Sequence, residues 1–287
     1  MSLSIASKIA YSALSASQVQ ISVASSNVAN AATEGYTTKT ATLTNTVHSG
    51  TSSGVTVTSI SGGVDKLLLK SLTEAESELG AAETTSDYTD RLQTLFGSLT
   101  SDTDSDSIAS DITALETALV DLAGSPDSDT LAAAVVTALD EVASGLRSTS
   151  SSLQSLRADA DTEIASDVDT VNQALATIAD LNAAIVAGQA RGEATGDLED
   201  QRTTALETIS GLMDVNWYTT STGALQVYTS SGVALVDSSV HELSFDPVAE
   251  MTADTVTGGI TVGGKDVTRD TGSGAIGALL TLRDETL

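Results

Sequence analysis

The sequence predicts a mainly α-helical protein with a smaller β region, built from an N-terminal coiled-coil-type helix, a long antiparallel helical bundle and an outer β-hairpin subdomain. Three observations predict this fold class. Apolar residues recur at helical spacing through most of residues 65–212. No proline interrupts Leu131 to Ala187, roughly 57 residues that could form a rod of about 85 Å. After Leu212 the pattern changes to the alternation and turn signals of short strands.

The first element is a helix with a narrow apolar seam. Its apolar residues follow the seven-residue spacing of a coiled coil, with one step of four. They are Leu3, Ala10, Leu14, Ile21 and Val28. Small polar residues, Ala and Lys8 lie between them, which leaves too little apolar surface for a core of its own. Asn27 and Asn30 stand in the final turns, and Gly35, before Tyr36, can adopt the left-handed conformation that closes a helix. We expect this seam to pack against other subunits.

Residues 37–64 are rich in Thr, Ser and Gly and predict an extended connector with room for one hairpin. A helix is predicted from Leu67 to Leu99, followed by an acidic break at 101–107. Its apolar positions begin with Leu68, Leu72, Ala75, Leu79 and Ala82. We expect the seams between Leu67 and Leu212 to pack within the chain, as an ordinary helix bundle.

Three further helices are predicted in the bundle. The first carries Ile108, Ile112, Leu115, Leu119 and Leu122 and ends at Gly124. Pro126 suits the first position of the next helix, which is the long one. Its seam runs through Val135, Leu139, Val142, Leu146, Thr149, Leu153, Leu156 and Ala160, and then through Ile164, Val168, Val171, Leu175, Ile178, Asn182 and Ile185. A loop from Gly188 to Gly196 precedes the third helix, Leu198 to Leu212.

Short strands are predicted after the bundle. Val215 to Tyr218 and Leu225 to Tyr228 form a hairpin around a turn at 221–223. Further strands are predicted at 233–236, 243–245 and 260–262, and a last helix begins at Ala275. The predicted domains are an axial helix (1–36), a connector (37–64), a long-helix bundle (65–212), a β-rich region (213–272) and a helix returning to the bundle (273–287).

The composition excludes several classes of function. The chain has 39 Asp and Glu against 12 Lys and Arg, a net charge of −27. A surface with this charge does not favour nucleic acid or anionic lipid, so neither is expected as a partner. There is no cysteine, which excludes disulfides and thiolate metal sites. The first residues lack the basic and apolar regions of a cleaved secretory signal.

No motif predicts catalysis, a cofactor or a metal site. The glycines at 272, 274 and 277 have the spacing of a dinucleotide-binding turn, but no βαβ pattern surrounds them. Asp102, Asp104 and Asp106 begin like a calcium loop that lacks its Gly and Glu, so a solvated turn is expected. His48 and His241 have no neighbouring ligand pattern. We therefore predict a protein that is not an enzyme.

The N-terminal strip resembles a known family. Gln18, Ser25, the run Asn27-Val28-Ala29-Asn30, and Gly35-Tyr36 are similar to the N-terminal signature of bacterial flagellar axial proteins, which form the rod, hook and hook-associated structures. This resemblance implies self-association in the axial structure of the flagellum. It also implies secretion without a cleaved signal, through the flagellar type III export apparatus and with a chaperone.

Other blocks resemble one branch of that group, the hook-associated protein 1 family of the hook–filament junction. They are the long helical region, Asp197-Leu198-Glu199-Asp200-Gln201-Arg202, and the stretch from Gly274 to Leu280 with Arg283-Asp284. Thr203 departs from the family pattern. The implied role is structural, with the hook protein and the next hook-associated protein as partners. Family members continue with a C-terminal helix that pairs with the first one, so we expect this chain to be C-terminally truncated.

Two alternatives remain open at this stage. The chain could be another flagellar axial protein, such as a flagellin or a hook or rod protein. It could also be a secreted acidic adhesin or ligand-binding module on a helical stalk. A specific pocket in the β region would favour the adhesin.

Overall fold

The computed structural model describes residues 3–48, 51–96 and 107–287, and it is mainly helical with smaller antiparallel sheets, as predicted. The helices of these ranges are α1 (Leu3–Ala29), α2 (Lys66–Phe96), α3 (Ile108–Gly124), α4 (Asp129–Arg191), α5 (Gly196–Leu212) and α6 (Ala275–Thr281). The strands are β1 (Lys39–His48), β2 (Thr51–Gly62), β3 (Val215–Thr219), β4 (Leu225–Thr229), β5 (Ala234–Val236), β6 (Leu243–Ser244), β7 (Thr261–Val262) and β8 (Lys265–Asp266). The predicted acidic turn at Asp102, Asp104 and Asp106 lies outside the described residues.

The long helix α4 has 63 residues, or about 95 Å at 1.5 Å per residue. The Ser128 hydroxyl caps its first turn by accepting from the Leu131 amide at 3.4 Å. The predicted start at Pro126 is therefore wrong, because Pro126 lies in the turn before the cap. The predicted end is also wrong: α4 runs past Gly188 to Arg191, where Gly192 takes a φ of +73° and terminates it.

The main apolar core surrounds the second half of α4. The predicted seam residues from Ile164 to Ile185 are all buried, and most of them join one cluster with residues of α5, α6 and the small sheets. Ile164, Val171, Leu175 and Ile178 are fully buried. Each such side chain contributes about 1.5–3 kcal/mol of transfer free energy. The core therefore encloses the second half of α4, and the first half packs against α3.

The helical hairpin formed by α3 and the first half of α4 buries less apolar surface than the main core does. Ala138 is buried between the two helices, but Leu139 and Leu146 remain 57% and 54% exposed. Ile112 and Leu119 of α3 are also about half exposed. The prediction that this part of the seam packs fully within the chain is therefore wrong. Two helices alone cannot cover both sides of their apolar stripes.

Helix α2 also departs from the prediction that these apolar seams pack within the chain. Its leucine stripe faces solvent, with Leu68, Leu72 and Leu79 at 69%, 42% and 56% exposed. The opposite face, which carries Thr73 and Ser77, lies against α5 and α6. The physical reason is close approach: small residues allow the backbones to come together where leucines would hold them apart. Gly80 lies so close that an added Cβ would overlap the carbonyl oxygen of Gly211 in α5.

The region after α5 forms two small antiparallel sheets, in the orders β3–β4–β5 and β6–β7–β8. The predicted hairpin is confirmed, with Trp217 opposite Val227 across β3 and β4. The predicted strands at 233–236, 243–245 and 260–262 correspond to β5, β6 and β7. The connector 37–64 is mostly one antiparallel hairpin, β1–β2.

The glycines at 272, 274 and 277 have a packing role. Gly272 and Gly274 lie between a 3-10 turn, Thr268–Thr271, and α6, and Gly277 lies in the first turn of α6. The described ranges place no parallel strand before them, as a dinucleotide site would need. A Cβ at Gly274 would come within 2.7 Å of the Leu212 carbonyl oxygen. These positions let the start of α6 pack against the end of α5.

A buried ion pair fixes the end of the described chain on α4. Arg283, in a π-helical turn after α6, donates to Asp161 of α4 at 2.6 Å, and each residue is 1% exposed. The other Asp161 oxygen accepts from the Val248 amide at 2.6 Å, and Arg283 also donates to the Gly258 carbonyl at 3.0 Å. The two side chains thus tie the loops around β6 and β7 to the long helix.

An acidic groove remains where α2, α4 and α5 do not close on each other. It has a volume of about 540 Å³ and is lined by Glu34, Glu76, Glu83, Asp167 and Glu207 with Thr and Gly residues and, among the described residues, no Lys or Arg. Burial, reinforced by the charge of Glu163, raises the pKa of Asp167 to about 6. Burial, with Glu76 and Glu34 nearby, also raises the pKa of Glu207. Burial and neighbouring negative charge therefore both disfavour the ionised forms of Asp167 and Glu207.

The contact at Gly80 predicts that Gly80→Ala lowers stability. Alanine normally stabilises a helix by about 1 kcal/mol relative to glycine, but overpacking against Gly211 should outweigh this and give a net loss of about 1–2 kcal/mol. Urea unfolding followed by circular dichroism measures the change. Gly211→Ala is the matched control, since its added Cβ meets nothing within 4 Å. An equal or higher stability of Gly80→Ala would contradict the close packing of α2 and α5.

The groove predicts that Asp167→Asn stabilises the protein at neutral pH. Because the folded-state pKa of Asp167 is raised, folding opposes its ionisation, and the wild type should lose stability as pH rises from about 4 through about 6. The gain from Asp167→Asn at pH 7.5 should be about 1–2 kcal/mol, since solvent screens part of the effect at this half-buried site, and it should vanish near pH 4. Thermal unfolding across this range measures it. Asp169→Asn, at an exposed site on the same helix, is the control, and an equal effect there would refute the assignment.

Candidate subunit-assembly surface

Helix α1 has two different faces. One face lies on the β1–β2 hairpin and is small and weakly apolar, with Ala16 buried and Val19 and Val23 half-buried. At roughly 100° per residue, the predicted seam lies about 180° away from it. Of the seam residues, Leu14, Ile21 and Val28 are 59%, 67% and 78% exposed, and Ala10 is exposed as well. Leu3 is the first residue of the helix.

The hairpin holds α1 by several contacts, and one of the closest is at Ser12. The Ser12 hydroxyl accepts a hydrogen bond from the Val55 amide at 3.2 Å and donates to the Ile9 carbonyl at 2.8 Å. Gly54 of β2 is buried against Ser12, where a side chain would not fit. The hairpin therefore holds α1 by backbone proximity and leaves the seam free.

The charge of α1 differs from that of the whole chain. Leu3 to Ala29 contains no Asp or Glu and one basic residue, Lys8. The complete chain carries 39 acidic residues. A second copy can thus approach the seam of α1 without meeting a like charge on the helix itself.

The turn after α1 is built from the predicted Asn, Gly and Tyr residues. The helix ends at Ala29, and Gly35, with a φ of +73°, shapes a separate turn in which the Tyr36 amide donates to Thr33 at 3.3 Å. The expectation that Gly35 closes the helix is therefore wrong, because it lies beyond the helix end. Asn27 exchanges two hydrogen bonds with the Lys39 backbone, both at 2.9 Å, and accepts a third from the Tyr36 hydroxyl at 2.9 Å. The Asn30 side chain donates back to Ser26 at 3.0 Å.

Beside this turn, Lys39 and Asp200 form a buried ion pair. Lys39 is 6% and Asp200 7% exposed, and the ammonium group contacts the carboxylate directly. Thr37 donates to the same carboxylate twice, from its amide at 3.0 Å and from its hydroxyl at 2.6 Å. The ammonium group also lies 4.6 Å from the centre of the Tyr36 ring, within cation–π range. Asp200 thereby joins the N-terminal segment to α5.

Arg202, two residues further along α5, connects this helix to α4 and to the β3–β4 hairpin. Its guanidinium donates to the Asn182 side chain at 2.9 Å and to the Gly223 carbonyl at 2.7 Å. Asn182 in turn bonds the backbone of Leu225 at both its amide and its carbonyl. The Asp-Gln-Arg segment is therefore a structural junction between the N-terminal turn, the long helix and the β3–β4 hairpin.

The structure groups the predicted assembly residues in two sets. Ala10, Leu14, Ile21 and Val28 share the exposed seam, whereas Asn27, Gly35 and Tyr36 form the turn that meets Asp200. The sequence prediction missed Lys39 and Thr37, and it did not place Asp200 at this site. The only available signal was the Asp-Gln-Arg segment, and nothing in it identifies a partner 161 positions away.

A histidine–carboxylate pair lies at the surface of the β region. His241 contacts Asp237 at 3.3 Å on the surface, with the Ser239 hydroxyl 3.3 Å from the His241 ring nitrogen and the Ser238 hydroxyl 3.3 Å from the Asp237 carboxylate. Within residues 3–48, 51–96 and 107–287, no group of three acidic, His or Cys side chains is arranged to hold a metal ion. None of the helices in these ranges is long and apolar enough to cross a membrane.

Comparison with known proteins agrees with this geometry. Residues 89–287 match the family of the flagellar hook-associated protein FlgK helical domain, and residues 8–37 match the flagella basal body rod protein family. A search of curated proteins by sequence gave no match. The rod match covers most of α1 and the turn at Gly35.

A solved structure shows the same fold. The chain is similar to the flagellar hook junction protein FlgK from Burkholderia pseudomallei, with a TM-score of 0.59 and 23% identity. The match covers 74% of this chain and 38% of that one, so this chain spans well under two thirds of that protein. The FlgK helical-domain match extends over more than half of the sequence, from α2 to α6. The chain therefore belongs to the family of the flagellar hook-associated protein FlgK, a structural component of the bacterial flagellum.

Proposed function

We propose that this protein is a structural subunit that joins the flagellar hook to the filament. The observation that carries the proposal is the exposed heptad seam of α1, on a helix without acidic residues. An apolar seam of this kind is unfavourable in water and is stabilised when it packs on another helix. The membership of the FlgK family and the name of the Burkholderia protein support the hook junction as the place of that packing.

The two sets of predicted residues take different parts in the proposed assembly. Leu3, Ala10, Leu14, Ile21 and Val28 form the surface that contacts neighbouring subunits. Asn27, Asn30, Gly35 and Tyr36 hold the turn that sets the direction of α1. The 63-residue helix α4 supplies stiffness along the subunit, because its second half is clamped in the core.

The remaining partners follow from the proposed role. Neighbouring copies, the hook protein and the next hook-associated protein contact the assembled subunit, and the flagellar export apparatus with a chaperone delivers it to the cell exterior. The protein acts without catalysis, cofactor or metal ion. The exposed seam also gives a reason for a chaperone, since it would otherwise associate before export.

The seam predicts that Ile21→Asp prevents assembly without unfolding the subunit. Ile21 is 67% exposed in the isolated chain, so the substitution should leave its stability nearly unchanged. In a packed seam it would bury an unpaired charge, and the number of filaments per cell should fall about tenfold or more. The measurement is electron microscopy of cells whose only gene copy carries the substitution in the full-length protein. Loss of filaments with intact hooks is the expected result.

Gln20→Asp is the matched control, because it adds the same charge at the adjacent exposed position, away from the seam. Filament numbers should then stay near normal. If Ile21→Asp cells also carry normal filaments, the assembly role of the seam is wrong. Thermal unfolding of both variants, followed by the fluorescence of the single Trp217, checks that the helical core is unchanged.

A further inference from the structure

We infer that Asp200, together with Lys39 and Thr37, is a positioning latch that holds the N-terminal unit in one orientation on the helical unit. The N-terminal unit here means α1, its turn and the β1–β2 hairpin, residues 3–48 and 51–62, and the helical unit means α2 to α6 with the small sheets. The inference rests on the proposed function, since the orientation matters for presenting the seam. The latch itself is a property of the single chain.

The first argument is that the two units do not share an apolar core. In the described ranges, the main apolar cluster begins at Tyr88 in α2 and contains no residue of the N-terminal unit. The buried apolar residue of α1, Ala16, contributes to the separate contact with the hairpin. Burial of apolar surface is therefore not what orients one unit on the other.

The second argument is the geometry at Asp200. Its carboxylate accepts two hydrogen bonds from Thr37 and one from the Lys39 ammonium group, so three donors converge on one side chain. The Lys39 stem passes Gly196 so closely that a Cβ there would lie 2.9 Å from its Cε. Gly35 likewise packs on Thr204, one turn further along α5. Directional hydrogen bonds in such a close contact fix the angle between the N-terminal unit and the helical unit, which apolar contact alone would not do.

The third argument concerns the energetics of a buried pair. Such a pair adds little net stability compared with an apolar core, because both charges lose their hydration. Removing one partner is costly, since the other charge is left buried and unpaired. Loss of Asp200 should therefore release Lys39 to solvent and free the whole N-terminal unit. The core around α4 has no part in the pair and should stay folded.

The test measures the orientation of α1 directly. The chain has no cysteine, so spin labels attached to Ser25→Cys on α1 and Thr177→Cys on α4 are unique, and both positions are exposed. Pulsed electron resonance then gives the distribution of distances between them. With the latch intact the distribution should be narrow, and in Asp200→Ala its width should increase about twofold or more as the unit moves freely.

Asp197→Asn is the matched control. Asp197 also lies within 3.8 Å of the Lys39 ammonium group, but its side chain is 82% exposed, so its removal should leave the distribution narrow. Trp217 fluorescence, which reports the helical unit, and helical circular dichroism, which reports α1 as well, should be unchanged in every variant because both units stay folded. Lys39→Met, which removes the other charge, should broaden the distribution as well.

Three results would overturn the latch. One is a narrow distribution in Asp200→Ala with a folded core; another is equal broadening in Asp197→Asn. The third is unfolding of the helical unit in both Asp200→Ala and Lys39→Met, because the pair would then belong to the core. The measurement uses the isolated protein, so its outcome is independent of filament attachment. A broadened distribution with normal filaments in cells would keep the latch and refute its link to assembly.

Discussion

The structure depends on the burial of one helical stripe, the second half of α4. Residues from Ile164 to Ile185 are enclosed by α5, α6 and the small sheets, and this enclosure fixes the axis of a helix much longer than the core itself. The buried pair of Asp161 and Arg283 ties the last described turn to the same stretch. Because the small sheets and the turn after α6 both pack on this segment, the β region needs no large core of its own. It is a covering for α4.

Away from that segment, apolar seams face outward. In α1 and in the first half of α2 the residues at heptad spacing are exposed, and the faces turned toward the protein carry mostly small residues, with Val19 and Val23 of α1 half-buried. Further along α2, Tyr88 enters the core. Small residues give close approach but little transfer free energy, so these contacts are precise in geometry and weak in adhesion. The chain thus orients α1 and the first half of α2 mainly with small and polar residues and leaves most of their larger apolar side chains exposed.

The sequence predicted the positions of helices and strands better than it predicted which residues pack against each other. The periodicity of α4 identified its seam, because a stripe that is buried over many helical turns has apolar residues at regular spacing in the sequence. The start at Ser128 was missed because Pro126 suits a first turn equally well, and only the Ser128 hydroxyl bond decides between them. The leucines of α2 were assigned to the interior because periodicity identifies an apolar face without showing what covers it. Lys39 and Asp200 were missed since their contact joins residues 161 positions apart, and no local pattern contains it.

Charge explains why assembly would be confined to α1. Two copies with a net charge of −27 repel each other over most of their surfaces, and at physiological salt this repulsion is screened beyond about 8 Å but persists at contact. In the acidic groove between α2, α4 and α5, burial, reinforced by the negative charge of Glu163, raises the pKa of Asp167. Helix α1 has no acidic side chain, so its seam is a place where copies can touch without that cost. Its orientation then determines the geometry of the proposed contact, and that orientation depends on a single buried carboxylate, Asp200, at the start of α5.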